Sequence, residues 1–251
     1  IPNNLAWWVV NASDRTIIAH FLGTAANGVY SIANKFPNVF INFYNILNLS
    51  WTETVSLHFD DEDRDEFLTE TMTSLFKLFA AACFGIVACM PFVFPILINE
   101  KYVAGYDQIL ILMYAMLFRV LVGLYSCIYV AQKNAKKIAY TSISAAIINI
   151  TVNLILINKI KIFAASISTL VAFFSMFIIR YIDVNKTVHM RIRKPIIIGS
   201  ILIGTMLIGT YYCENKMIQL IALCITAIYA VLTNVDMLKS GMKLVKSRFG
   251  K

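Results

Sequence analysis

Several charged residues interrupt stretches that are otherwise apolar, among them Asp14, Arg15, Lys35 and Arg119. A charge inside such a run is costly in a membrane and normally faces a bundle interior or a water-filled cavity. Arginine offers a fork of donors that fits phosphate, and lysine a compact point charge. Lys35 and Arg119 are therefore the candidates for holding an anion. Neighbouring helical residues point about 100° apart, so Asp14 and Arg15 need not satisfy each other. An Asp14–Arg119 ion pair is the structural alternative, because Asp14 is the nearest acid to Arg119 by depth.

The residues around these charges form stripes. On a helix, Lys35, Asn38, Asn42, Asn45, Thr52, Glu53 and Ser56 share a sector about 100° wide. Val39, Phe40, Phe43, Tyr44, Leu47 and Trp51 occupy the opposite sectors. Such a polar face must meet protein or water. Around Arg119, the residues Gln108, Ala115, Gly123, Ser126 and Lys133 lie on one face, the small ones leaving room for a guanidinium. Ser142, Ala146, Asn149 and Asn153 align in the same way, and Asn4, Asn11, Asp14 and Arg15 share about a third of a helix circumference. Interhelical hydrogen bonding is the plain reading of the asparagines and serines; ligand contact is the functional one.

The elements that must carry these stripes are membrane helices. The 251 residues are 59% hydrophobic and 14% charged, against about 45–50% and 25% in ordinary soluble chains. Crossing a hydrocarbon core takes about 20 apolar residues, and with that ruler the chain divides into an all-α bundle of about eight transmembrane helices. The expected spans are 4–22, 28–58, 73–98, 106–131, 138–157, 162–182, 195–213 and 217–235, followed by a basic tail over 236–251. Pro37 is expected to kink the second span and to offer a hinge.

Lysine and arginine are unevenly shared between alternate gaps. One set holds Arg64, Lys133, Lys136, Lys137, Arg180, Lys186, Arg191, Arg193 and Lys194, with Lys239, Lys243, Lys246, Arg248 and Lys251 of the tail. The other holds Lys101, Lys159, Lys161 and Lys216. The positive-inside rule puts the first set, and both ends of this chain, in the cytoplasm. The net charge of +8 is accounted for by this bias rather than by nucleic-acid binding.

Other chemistry is poorly represented. Cys83, Cys89, Cys127, Cys213 and Cys224 form no CxxC pair and serve as small apolar filler. His20, His58 and His189 stand apart, without a nucleophile or a ligand set. The acidic run Asp60 to Glu66 lacks the glycine and spacing of an EF-hand and suits a solvated loop leading into a helix N-terminus. No enzyme, metal site or cofactor is expected.

The opening spans carry a resemblance. The segments Asn11-Ala-Ser-Asp14-Arg15-Thr-Ile17-Ile18, Phe21-Leu22-Gly23 and Gly28-Val-Tyr30-Ser-Ile-Ala33-Asn-Lys35-Phe-Pro37 resemble the seventh and eighth helices of Wzx-type polysaccharide flippases. These belong to the MATE-like multidrug/oligosaccharidyl-lipid/polysaccharide exporter superfamily. The later spans match in length and spacing with little signature. The resemblance implies a two-lobed transporter of twelve to fourteen helices in the bacterial inner membrane, of which this chain is the second lobe and an upstream lobe the partner. Its implied activity is flipping of undecaprenyl-pyrophosphate-linked oligosaccharide units for O-antigen, capsule or exopolysaccharide synthesis. Lys35 and Arg119 would then attract the pyrophosphate, and Asn38, Asn42 and Asn45 the sugar hydroxyls. Asp14 with Arg15 is either the site of H⁺ or Na⁺ coupling or a structural pair. A peptidoglycan-precursor flippase, a drug exporter of the same superfamily and an inactive fragment are the alternatives. A membrane glycosyltransferase or polymerase is disfavoured, because the outer gaps are only a few residues long.

Overall fold

The computed structural model describes residues 2–240, with side chains from residue 12 onward. Asn4 and Asn11 therefore fall outside the described side chains. Lys243, Lys246, Arg248 and Lys251 of the expected tail lie outside the described residues. Helix accounts for 87% of the chain, and no strand occurs among the described residues. The fold is an all-α polytopic membrane bundle.

In chain order the helices are α1 (Pro2–Leu22), α2 (Thr24–Ala33), α3 (Lys35–Leu57), α4 (Arg64–Leu97), α5 (Tyr106–Ala131), α6 (Ala135–Ile160), α7 (Phe163–Val184), α8 (Lys194–Tyr211) and α9 (Lys216–Thr233), with a 3₁₀ turn at Glu100–Gly105. The last six α-helices are long and apolar enough to cross a membrane. The polar stripes keep α1 and the α2–α3 pair below that measure, so six of the eight expected spans meet it among the described residues.

Two boundaries differ from expectation for physical reasons. The expected second span is two helices, broken at Asn34. Pro37 has no N–H to offer the carbonyl four residues back, and its ring crowds that carbonyl, so the ladder is interrupted just before it. The Asn34 side chain donates Nδ2–H to the Tyr30 carbonyl at 2.9 Å, which also accepts the Asn34 backbone N–H. The third helix of the expected list, 73–98, starts earlier than its span. Arg64 already starts α4, whose 34 residues reach about 50 Å at 1.5 Å each, well beyond a hydrocarbon core of about 30 Å.

That extra length holds a loop. Asp65 accepts the His189 backbone N–H at 2.9 Å, and Glu70 accepts from Arg193 at 2.7 Å. The acidic start of α4 thus ties down the strongly basic connection between α7 and α8. At its other end α4 contains Pro91 and Pro95. Pro95 leaves the Pro91 carbonyl without its helical donor, and Lys216 Nζ supplies one at 2.9 Å.

The core is laid between α3, α4, α5 and α7, with Phe40, Phe79, Met113, Leu124 and Tyr125 almost fully buried. On the outer side of α4, α8 and α9 form a hairpin. Tyr114 fastens it by donating to the Gly204 carbonyl at 2.8 Å, and Tyr106 and Tyr211 stack at 4.4 Å. Among the described residues, none of this hairpin lines the cavities between α3 and α5.

Candidate functional site

The α3 helix turns Phe40, Tyr44, Trp51 and Val55 into the core, where Trp51 Nε1–H donates to the Leu124 carbonyl of α5 at 3.1 Å. This anchoring fixes the rotation of α3. Its asparagines are consequently presented beside the polar face of α5. Gly123 allows the close approach: a Cβ there would collide with the Tyr44 hydroxyl, which instead donates to Asn48 Oδ1 at 2.6 Å.

Between these helices two adjoining cavities form a groove. The first, of about 470 Å³, is lined by Asp14, Arg15, Tyr30, Asn34, Asn38, Asn42, Asn45 and Arg119 among others. The second, of about 440 Å³, is lined by Asn45, Asn48, Thr52, Arg119, Gly123, Ser126 and Cys127 among others. Asn45 and Arg119 belong to both, so the two are neighbouring parts of one surface. From Asn38 to Thr52 the groove follows α3 for roughly 20 Å at 1.5 Å per residue.

The positions foreseen from sequence are mostly brought together. Arg119, Asn38, Asn42 and Asn45 share one cavity, with Asp14 and Arg15 at its end. Lys35 does not join them. It is exposed at the first position of α3 and does not line either cavity. Asn34 and Asn38, on either side of it, line the first cavity, so Lys35 is level with the groove and is set aside by its place at the edge of the polar sector. Glu53 is exposed and also outside both linings, while Thr52 lines the second.

The alternative ion pair with Arg119 is not what holds Asp14. Its Oδ2 accepts from Thr169 at 2.6 Å and from the Tyr30 hydroxyl at 3.0 Å, and its Oδ1 accepts from Asn153 Nδ2 at 2.9 Å. Asn149 extends the network by donating to Ser168 and Thr169, both at 3.2 Å, and by accepting from Ser13. The serine and asparagine stripe of α6 is thereby explained as interhelical hydrogen bonding that joins α1, α2, α6 and α7 around one carboxylate. Gln108 of the α5 stripe is similarly satisfied, by Ser166 of α7 at 2.6 Å.

One cation was misplaced by sequence reasoning. Arg180, expected in a loop, is completely buried one turn before the end of α7. Its guanidinium donates to Thr141 Oγ1 at 2.8 and 3.0 Å, to the Val122 carbonyl at 3.1 Å and to Ser142 Oγ at 3.3 Å. It also donates to Ser126 Oγ, which lines the second cavity. No carboxylate pairs with Arg180 among the described residues. A buried cation with only neutral partners leaves its charge uncompensated and projects it through Ser126 toward the groove.

Arg119 lies midway along α5, with Cζ 6.0 Å from the Phe173 ring centre. Its depth and charge, with Arg15 and the hidden Arg180, make the groove electropositive; its only lining acid, Asp14, is taken up by three donors. The asparagine amides provide both donors and acceptors along the wall. This combination suits an anion bearing hydroxyl groups: a guanidinium for the charged end, amides for the rest. Tyr30, Asn34 and Thr169 are further lining residues that no stripe singled out.

Set against family models, curated proteins and solved structures, the chain matches none.

Proposed function

We propose that the chain is the second lobe of a flippase for undecaprenyl-pyrophosphate-linked oligosaccharides in the bacterial inner membrane. The observation that carries this reading is the convergence of Arg119 with Asn38, Asn42 and Asn45 on one open cavity. In this reading Arg119 binds the pyrophosphate, with Arg180 adding field from behind Ser126, and the asparagines bind the first sugars. Lys35 drops out of the binding set. The other wall of the cavity comes from an upstream lobe, and access alternates as one lobe rocks against the other. The end of the bundle holding Lys133, Lys136, Lys137 and Lys186 faces the cytoplasm by the positive-inside rule, as do both ends of the chain.

Coupling to H⁺ or Na⁺ would use Asp14, which is buried, adjoins the cavity and is held by groups from three other helices. A cationic-drug exporter fits less well, because the groove presents two arginines and a single, already engaged acid. The test is in cells whose surface polysaccharide depends on this protein. Arg119→Ala is expected to accumulate unflipped lipid-linked repeat units, while Lys35→Ala leaves export unchanged. Normal export in the Arg119→Ala strain would overturn the reading.

A further inference from the structure

A third cavity, of about 530 Å³, lies away from the groove, where α6 begins and α7 ends. Three lysines line it: Lys136, Lys137 and Lys186. One acid faces them, Asp183. Asp183 Oδ2 is occupied, accepting from Lys137 at 2.6 Å and from the Tyr129 hydroxyl at 2.9 Å. Lys186 is 4.0 Å from Oδ1 at the limit of an ion pair, and Lys136 has no ion-pair partner among the described residues. Three positive charges against one negative leave an excess of two. Lys136 and Lys137 also sit in the first turn of α6, where the helix dipole favours anions. Neither their own helix nor Asp183 therefore settles that charge.

The remaining walls decide what kind of anion fits. Ile179, Ile182 and Tyr140 line the same cavity and are 38%, 55% and 73% exposed. On a membrane protein, exposed isoleucines on the flank of a spanning helix face acyl chains, and a tyrosine near its end sits at headgroup level. The cavity is thus cationic at its rim and apolar along its flank.

We propose that this pocket binds an anionic phospholipid, with the phosphodiester between Lys136 and Lys186 and an acyl chain along Ile179 and Ile182. A free phosphate would use the lysines but leave the apolar wall bare, so the diacyl lipid is the occupant that accounts for both halves of the lining. Basic pockets between membrane helices recognise anionic headgroups by this division of labour. The inference does not depend on the transport reading, because none of the groove residues is involved.

Native mass spectrometry of the purified chain in detergent tests it, with phosphatidylglycerol, phosphatidylcholine and inorganic phosphate titrated separately. Phosphatidylglycerol is expected to be retained at about a tenfold lower concentration than phosphatidylcholine. The Lys136→Gln/Lys186→Gln double variant should lose that preference, and Lys239→Gln, at an exposed lysine elsewhere, should keep it. Both substituted lysines are exposed, and an unchanged melting temperature verifies that the double variant is folded. Excess inorganic phosphate should not displace the lipid. Equal retention of the two lipids, a preference that survives the double variant, or displacement by phosphate would each overturn the proposal.

Discussion

A guanidinium held only by hydroxyls and carbonyls, as Arg180 is, has every donor occupied and its charge unanswered. Methionine removes the uncompensated charge and keeps most of the volume, and Thr141 and Ser126 retain helix carbonyls as acceptors, whereas truncation also leaves a hole. Arg180→Met is therefore expected to melt close to wild type while binding an anionic ligand about tenfold more weakly, since a field without direct contact is worth about 1–2 kcal/mol at such range. Thermal unfolding and ligand titration of the same sample check this. Unchanged affinity in a folded Arg180→Met would remove Arg180 from the site. The residue was hard to find in the sequence because an arginine at the end of an apolar run looks the same whether it snorkels to water or turns inward. The signal lay on other helices, in Ser126, Thr141 and Ser142, and nothing in a linear reading connects them to α7. Arg119 was legible because it stands in the middle of its span, where snorkelling cannot rescue it.

Among the elements, the pair α3 and α5 sets the width of the groove. Their approach depends on Gly123, where the Tyr44 phenol takes the space of a side chain. Gly123→Ala is expected to push Tyr44 off Asn48 and to cost about 1–3 kcal/mol, the usual range for overpacking a filled contact. The check is a melting temperature together with ligand affinity, and both should fall; a variant as stable and active as wild type would mean that the helices are not held by this contact. Periodicity revealed the asparagine face of α3 because polar residues recurring along one side of a helix have no place against lipid. It could not tell that α6 spends its own stripe on Asp14, since ligand contact and interhelical hydrogen bonding use the same residue types at the same spacing. The break at Asn34 was foreshadowed by Pro37. The exit of Lys35 from the groove was not, because it stands at the edge of the polar sector and a helical wheel does not fix which part of a face is covered.

At the scale of the whole molecule, the chain separates a polar groove on one side from an apolar α8–α9 hairpin on the other, with α4 and α5 between them. Hydropathy alone was enough for the all-α class and for the last six helices, because apolar runs of membrane length have few other uses. The direction of the groove emerges only once tertiary contacts fix which face of each helix is covered. The central claim, that this groove holds a pyrophosphate-linked oligosaccharide through Arg119, is tested most directly by binding. Titration of the purified chain with a polyprenyl-pyrophosphate-linked oligosaccharide should show Arg119→Ala weakened about 10- to 100-fold, the worth of a hydrogen bond to a charged group, and Lys35→Ala changed by less than about twofold, as for an exposed surface charge. Equal affinity of Arg119→Ala and wild type would contradict it.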